Sequence, residues 1–343
     1  MRAAVFYEHG AVDVIQVVDN LPMPEPKAGQ VRVQMKAAAL NRLDLWVRVG
    51  WKGLALELPH VIGSDGAGIV EAVGEGVTHV TAGDRVAINP TLIDQDCLNL
   101  RGAESECLDI QIVGEHAQGV AAEYVVLPAR NLHKMPDHIT FEQAAAAGLV
   151  FVTAWNSMIV RGGLKAGESV LVVGAGGGVN SASIQIAKLC GCKVYVVGSN
   201  ADKCAQAEQL GADVTIDRSK EESWSKALAK LTNRAGVDVV IDNVGQATLM
   251  DSMKSVKRGG RILVVGNTSG YNAQIDTRYL FAKNISIIGS SMGTTADYVK
   301  VMNLVFSGQL KPIVGRVFPL SEAREAERTL ESGDVFGKVV LEI

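Results

Sequence analysis

From about residue 168 the chain alternates short apolar runs with segments of helical spacing. ESVLVVG, KVYVVGS, ADVTIDR, VDVVIDNVG, RILVVGN and NISIIGSS are six runs rich in Val and Ile. After the first of them, Val179, Ala182, Ile186 and Leu189 recur at helical spacing. ADKCAQAEQLG, EESWSKALAKLTNRAG and QATLMDSMKSVKRGG read as further helices, and Gly191, Gly211 and Gly236 mark helix ends. Strands that are apolar on both faces belong to a parallel sheet covered by helices. Right-handed crossovers then wind the sheet outward in both directions. The pattern predicts an α/β fold with a doubly wound, six-stranded parallel sheet.

The first 150 residues have another texture. VRVQMKAAAL, AGIVEAVGEGV, GDRVAINP and GVAAEYVVLPARNL are alternating segments split by Gly, Pro, Asn and Asp, which suggests a small irregular β-barrel. TFEQAAAAGLVFVTAWNSMIV reads as a helix leading into the sheet. Beyond the sheet, ADYVKVMNLVFSGQL, VGRVFPLSEAREAERTLESG and FGKVVLEI predict helix, strand, helix and strand, returning to the barrel. The expected domains are 1–150, 151–291 and a return segment 292–343.

Composition adds limits. A chain of 343 residues, 48% hydrophobic, is long enough for two cores. A net charge of −4 gives no support to a nucleic-acid partner. No uninterrupted apolar run reaches the ~18 residues of a membrane span, and MRAAVFYEHG has no signal-peptide core. A cytoplasmic protein acting on a small molecule is expected, with no membrane partner. The five cysteines are an odd number in a long chain, so free thiols are expected rather than a disulfide framework.

Candidate chemistry begins at LVVGAGGGVN. Glycines at a strand-to-helix turn let a pyrophosphate approach backbone N–H groups and the positive end of the helix dipole. Gly174, Ala175, Gly176, Gly177, Gly178 and Val179 form that turn. The dinucleotide pattern GxGxxG fits imperfectly: one register ends on Val179 and the other on Asn180. Asn180 in place of the third glycine predicts slightly looser helix–strand packing. The second strand ends at Gly198, where an NAD site usually carries a carboxylate. Ser199, Asn200 and Lys203 can donate to a 2′-phosphate, which predicts NADP(H). The stretch Ser199–Asp202 also reads as a helix N-cap. Asn243, Gly266, Asn267 and Thr268 stand at carboxyl ends of sheet strands, where ligands of open α/β sheets bind.

The segments GSDGAGIVEAVGEGV, GDRV, GLVFVTAW, LVVGAGGGVN with QIAK, VDVVIDNVG, GGRILVVG and FGKVVLEI together resemble the medium-chain dehydrogenase/reductase superfamily. The resemblance runs from Met1 to the last residue. It implies a GroES-like β-barrel catalytic domain, a Rossmann domain, a cleft between them and NAD(P)H-dependent hydride transfer. It also implies a homodimer or homotetramer paired through the last sheet strand, Asn284 to Ser290. By the same resemblance Thr153 lies on the helix entering the cofactor cleft, and Lys338 stands near the pyrophosphate.

That superfamily holds zinc-dependent alcohol dehydrogenases and zinc-free quinone or enoyl reductases. The positions that carry its catalytic zinc ligands fall on Asn41, Ser64 and Leu149, with Asp65 in place of the usual Glu. An amide, a hydroxyl and an alkyl group do not make a zinc site. The spacing of the superfamily's structural zinc loop, counted back from Cys107, lands on Asn99, Asp96 and Ile93, with Cys97 one place out. A mixed set of Asp94, Asp96, Cys97 and Cys107 is the alternative to an ordinary acidic lobe. Asn41, Asp44, Arg48 and Gly50 resemble the N-x-x-D-x-x-x-R-x-G segment of quinone-oxidoreductase-like members. In that reading Asn41 donates to a carbonyl oxygen as hydride arrives, and Ser64 is a second donor. Asp44 orients an arginine or a water chain, or serves as a buried salt bridge or helix cap. His60, just before the GSD turn, is within reach of the cleft.

The expectation is a zinc-independent, NADP(H)-dependent oxidoreductase acting on a quinone or an α,β-unsaturated carbonyl. The alternatives are an alcohol dehydrogenase with atypical zinc ligands and a non-catalytic NADPH-binding protein. Trp46, Trp51 and Leu54 read either as the wall of an apolar site or as core.

Overall fold

The computed structural model describes the chain apart from residues 103, 105, 106, 108, 109 and 222 and the side chain of residue 95. Part of the expected acidic lobe and one residue of the EESWSK helix therefore lie outside the described residues. Two compact units are present, residues 1–149 with 294–343 and residues 150–293.

The first unit opens with β1 (Ala3–Phe6), β2 (Gln16–Val18), β3 (Gln30–Leu40), α1 (Arg42–Val49), β4 (His60–Val61), β5 (Asp65–Val73), β6 (Arg85–Ile88) and β7 (Thr91–Leu92). There follow α2 (Gln95–Arg101), β8 (Gln111–Ile112), β9 (Tyr124–Pro128), β10 (Leu132–Lys134) and α3 (Phe141–Trp155). β3 is the organising strand, since it pairs antiparallel with both β5 and β9. Its inward residues Val31, Val33 and Met35 join Ile62, Val70, Val86, Ile88 and Val120 in one buried apolar cluster.

The glycines of GSDGAG have a packing reason. Gly63 has φ +93°, a left-handed conformation that favours glycine. A Cβ on Gly66 would stand 2.4 Å from Met35 Cε, and one on Gly68 would stand 2.2 Å from the Gln34 carbonyl oxygen. These two glycines let β5 lie close against β3.

The second unit runs β11 (Ser169–Val173), α4 (Gly178–Leu189), β12 (Lys193–Gly198), α5 (Ala201–Gln209), β13 (Val214–Asp217) and α6 (Trp224–Leu231). It continues with β14 (Val237–Asp242), α7 (Leu249–Ser255), β15 (Val256–Val264), α8 (Thr277–Lys283) and β16 (Ser286–Gly289). All six strands are parallel, in the order β13-β12-β11-β14-β15-β16. The strand order reverses direction at β11, as a doubly wound sheet requires.

One expected helix is shorter than its sequence pattern. QATLMDSMKSVKRGG leaves α7 at Ser255, and Val256 already pairs with Val237. Val256 is buried and β-branched, and a Cβ on Gly260 would fall 2.7 Å from the Asp238 carbonyl oxygen. Close strand pairing outweighs the helical spacing of the lysines there.

α3 runs into a π-helical segment, Asn156–Arg161. The combined helix Phe141–Arg161 is long and apolar enough to cross a membrane, although polar residues interrupt its sequence. About two-thirds of an 18-residue stretch of it is buried inside the protein, as in a core helix. The chain then returns to the first unit through α9 (Thr295–Phe306), β17 (Val314–Pro319), α10 (Ala323–Ser332) and β18 (Lys338–Glu342). β18 pairs with β3 and completes the order β10-β6-β5-β3-β18-β17.

Candidate active site

In the first unit, strand register gathers the polar residues. Val339 of β18 lies opposite Leu40 of β3, and Asp65 of β5 lies opposite Ala39. Lys338, Asn41 and Asp65 therefore meet at one end of the sheet. Lys338 Nζ donates to Asn41 Oδ1, and to Asp65 Oδ2 at 3.3 Å. Asn41 Nδ2 donates to the same Asp65 oxygen at 2.9 Å and lies 3.5 Å from the Ala39 carbonyl. The Leu149 backbone N–H donates to Asp65 Oδ1 at 2.7 Å. All three polar side chains are buried.

Asp44 forms the second half of the cluster. It stands three residues after Asn41, the N-cap of α1, and accepts the Asn41 backbone N–H at 2.6 Å. Its other oxygen accepts the Gly63 N–H at 3.1 Å and, more distantly, the Ser64 hydroxyl at 3.5 Å. Burial pushes the Asp44 carboxyl up to about 6, while the Asn41 N–H and the charge of Lys338 pull it down. Burial lowers Lys338 below an ordinary lysine, opposed by Asp65 and Asp44.

Arg48 is fully buried one helical turn further on. Its Nε sits 2.6 Å from Glu327 Oε2 of α10, an ion pair between two groups of 0% exposure. That contact lacks hydrogen-bond alignment, and Glu327 Oε1 has no hydrogen-bond partner among the described residues. Arg48 also donates to the Gly10 carbonyl at 2.9 Å and to Glu331 at 3.3 Å. Burial and the charge of Asp44 push Glu327 up to about 8, against the pull of Arg48. The N-x-x-D-x-x-x-R pattern is thus spread over a cap, a turn anchor and a buried ion pair. Neither Glu327 nor Glu331 stood out in the sequence, because both sit in an acidic, amphipathic helix.

Other expected residues take structural partners. His60 is buried, its Nε2 lies 3.1 Å from the Gly114 carbonyl oxygen, and burial lowers its pKa. Trp46 and Trp51 are 39% and 44% exposed, whereas Leu54 packs on the barrel core. Tyr298 on α9 was not singled out from sequence, since it occupies a regular apolar position. Its hydroxyl is buried with no hydrogen-bond partner among the described residues, and burial with the charge of Asp65 raises it well above an ordinary phenol.

Gly148 fixes how closely α3 approaches the cluster, because a Cβ there would stand 2.3 Å from Asp65 Oδ1. Gly148→Ala is expected to lower stability by about 1–3 kcal/mol through overpacking. Thermal melts of the variant check this, and an unchanged melting temperature would refute it.

In the second unit, Gly174 has φ +101° and donates its N–H to the Val197 carbonyl at 3.0 Å. Gly177 is the N-cap of α4, and among the described residues no side chain caps that helix. The first amides of α4 are therefore left for an anion, and the residues fit a dinucleotide pyrophosphate. Asn180 does not loosen the packing. It is buried, with Nδ2 donating to the Val173 carbonyl at 3.1 Å and Oδ1 accepting from Asn243 Nδ2.

Asn243, Gly266, Asn267 and Thr268 do come together. Thr268 N–H donates to the Asn243 carbonyl at 3.3 Å, and a Cβ on Gly266 would meet that carbonyl at 3.0 Å. Asp242, not picked out from sequence, is fully buried beneath them. It accepts from the Val244 and Gly245 N–H groups and from the Thr248 and Ser252 hydroxyls. Asn200 caps α5 by accepting the Lys203 N–H at 2.9 Å. A Cβ on Gly198 would stand 2.4 Å from Cys204 Sγ, so packing also favours glycine there. Thr153 is buried, with Oγ1 3.8 Å from Met292 Sδ.

The donors at the zinc-ligand positions do not fit zinc. The Asn41 oxygen accepts from an ammonium, Ser64 faces Asp44, and Leu149 has an alkyl side chain. The Lys338 cation beside Asp65 would also repel a second one. In the acidic lobe, Asp94 caps α2 by accepting the Asp96 and Cys97 N–H groups. Cys107 is pushed up to about 11 by its hydrogen bond with Cys97 and by burial, which keeps it a thiol. Among the described residues no three His, Cys, Asp or Glu side chains are grouped to hold a metal ion.

Comparison with known proteins extends the geometry to the whole chain. Residues 27–137 match the family described as alcohol dehydrogenase GroES-like domain, and residues 178–307 match zinc-binding dehydrogenase. A zinc-type alcohol dehydrogenase-like protein of Schizosaccharomyces pombe is 33% identical over 321 residues, 92% of this chain and 91% of its own. Human quinone oxidoreductase is 29% identical over 348 residues, 99% of this chain and 97% of its own. The crystal structure of an NAD-dependent alcohol dehydrogenase covers 100% of both chains at 44% identity, with a TM-score of 0.95. With a GroES-like unit, a six-stranded parallel Rossmann sheet and relatives matching end to end, the chain belongs to the medium-chain dehydrogenase/reductase superfamily of oxidoreductases.

Proposed function

We propose that this chain transfers hydride between NADP(H) and a quinone or an α,β-unsaturated carbonyl, without a metal. The observation that carries this reading is the donor set of Asn41, Ser64 and Leu149, with the Lys338 ammonium bound to Asn41 and Asp65. When bound, the nicotinamide supplies or receives the hydride. The chain's own residues supply position and polarity. The Asn41 N–H aimed at the Ala39 carbonyl, across a long 3.5 Å N···O distance, is the less engaged of its two, and it is the donor proposed for the acceptor carbonyl. Lys338 adds positive charge behind that amide. Ser64, at a long 3.5 Å from Asp44, is the proposed second donor.

The proposal of NADP(H) rests on Gly198, which puts no carboxylate against a 2′-phosphate, and on Ser199, Asn200 and Lys203 beside it. Gly174, Ala175, Gly176, Gly177, Gly178 and Val179 are proposed to hold the pyrophosphate. Thr153, Asn243, Gly266, Asn267 and Thr268 are proposed to line the rest of the cofactor site. The proposed setting is a cytoplasmic homodimer or homotetramer joined along Asn284–Ser290, where β16 ends the sheet.

Zinc-dependent alcohol oxidation with NAD is the second reading. It is favoured by the 44% identical structure described as an NAD-dependent alcohol dehydrogenase. One set of assays separates the two. Purified protein is analysed for metal and assayed with NADPH and NADH against naphthoquinones, 2-alkenals and simple alcohols, before and after chelation. Chelator-resistant, NADPH-preferring reduction of the conjugated acceptors is expected. Stoichiometric zinc whose removal abolishes alcohol oxidation would overturn the proposal.

A further inference from the structure

Asn180 stands at the third-glycine position of the glycine turn, and the structure gives it partners. Asn180 uses both ends of its carboxamide. Nδ2 donates to the carbonyl of Val173, the last residue of β11, at 3.1 Å. Oδ1 accepts from Asn243 Nδ2, just beyond β14. Asn180 is also the wall that Gly174 packs against, since a Cβ on Gly174 would stand 2.4 Å from Asn180 Nδ2. A Cβ on Gly177 would lie 3.6 Å from Asn180 Oδ1. The Asn243 carbonyl in turn accepts the Thr268 N–H at 3.3 Å and crowds Gly266. One buried amide therefore links the glycine turn after β11, the turn after β14 and the loop after β15. These are three loops at the carboxyl edge of the sheet, where open α/β sheets bind their ligands.

We infer that Asn180 is a positioning residue for the dinucleotide: its amide bridge to Val173 and Asn243 holds the Gly174–Gly178 turn and the Asn243 loop in their binding geometry. A glycine at this position would leave a gap beneath Gly174 and release Asn243 to rotate. Affinity then falls because the loops must be ordered on binding. The sign is opposite to what the GxGxxG pattern predicts, by which Asn180→Gly restores the usual residue. Asn243 and Asn180 act as one unit, so removing either forfeits the same bridge.

The inference rests on the dinucleotide reading, and the experiment separates their failures. Dissociation constants for NADPH and NADH are measured by nucleotide fluorescence for the parent protein and for Asn180→Gly, Asn243→Ala and the double variant. Melting temperatures are recorded in parallel. If the parent binds neither dinucleotide, the dinucleotide reading fails. If it binds, Asn180→Gly is expected to weaken the preferred dinucleotide about tenfold or more. Asn243→Ala is expected to weaken it similarly, and the double variant no further than the worse single.

A purely structural role is distinguished with adenosine 2′-monophosphate or adenosine, which lack the pyrophosphate. The probe with the better affinity for the parent is used. Its affinity is expected to stay within twofold in Asn180→Gly. Asn180→Gly binding as tightly as the parent, or dinucleotide and probe losing affinity in parallel, would overturn the inference. Fully additive losses in the double variant would overturn it as well. Should Asn180→Gly not fold, Asn180→Ala carries the same comparison of dinucleotide with probe.

Discussion

Lys338→Met is expected to destabilise the protein by about 3–5 kcal/mol, the range for removing one partner of a buried charge pair. The reason is what stays behind. Asp65 is fully buried, and without the ammonium its carboxylate keeps, among the described residues, the Asn41 amide and the Leu149 N–H. Asn41 Oδ1 loses its donor at the same time. Lys338→Met with Asp65→Asn removes both charges and is expected to recover a large part of the loss. Denaturant melts of the two singles and the double form a cycle that isolates the pair. Equal destabilisation in Lys338→Met and in the double variant would show that Asp65 is not the cause. Loss of conjugated-carbonyl reduction in the rescued double variant would tie the ammonium to chemistry as well as to folding.

The second large effect is at Arg48 and Glu327. Arg48→Met is expected to cost about 3–5 kcal/mol at pH 9, where Glu327 is ionised and is left buried without its cation. The pair also sets a pH dependence. Glu327 is raised from an ordinary carboxyl near 4.5 to about 8 in the folded protein. The folded state thus keeps a proton that the unfolded chain has released. Its contribution is fully present below about pH 4.5 and is lost as pH rises through 8. Asp44, raised to about 6, acts with the same sign over a lower window. Melting temperatures of the parent are therefore expected to decline from pH 5 to pH 9 by the share of these two groups. Glu327→Gln is expected to flatten the upper part of that decline and to leave the part due to Asp44. Parallel curves for the two proteins across pH 6–9 would refute the assignment.

The Rossmann sheet was legible because parallel strands buried on both faces leave long Val and Ile runs. The helices between them carry a separate 3.6-residue rhythm. Where two signals overlapped, at Val256–Gly260, local spacing misled: strand pairing of a buried valine and tight glycine packing outweighed it. At the site, motifs named residues but not partners. Asn41, Ser64 and Asp65 were visible as departures from a metal-binding pattern, while Lys338 carried only a suggestion of a phosphate contact. Its ammonium is engaged with Asn41 and Asp65 within its own unit. Asn180 looked like a defect in a glycine pattern, and the folded chain turns it into a bridge.

The sequence by itself determined the α/β class, the doubly wound sheet and the superfamily, because periodicity and glycine punctuation are local and repeat along the chain. The tertiary structure alone decided which charges meet. Lys338 lies 273 residues from Asp65, and Arg48 lies 279 residues before Glu327. Only the strand register of β18, β3 and β5 and the packing of α10 on α1 bring those groups within a few ångströms. Their protonation follows from burial, and burial belongs to the folded chain rather than to any stretch of it.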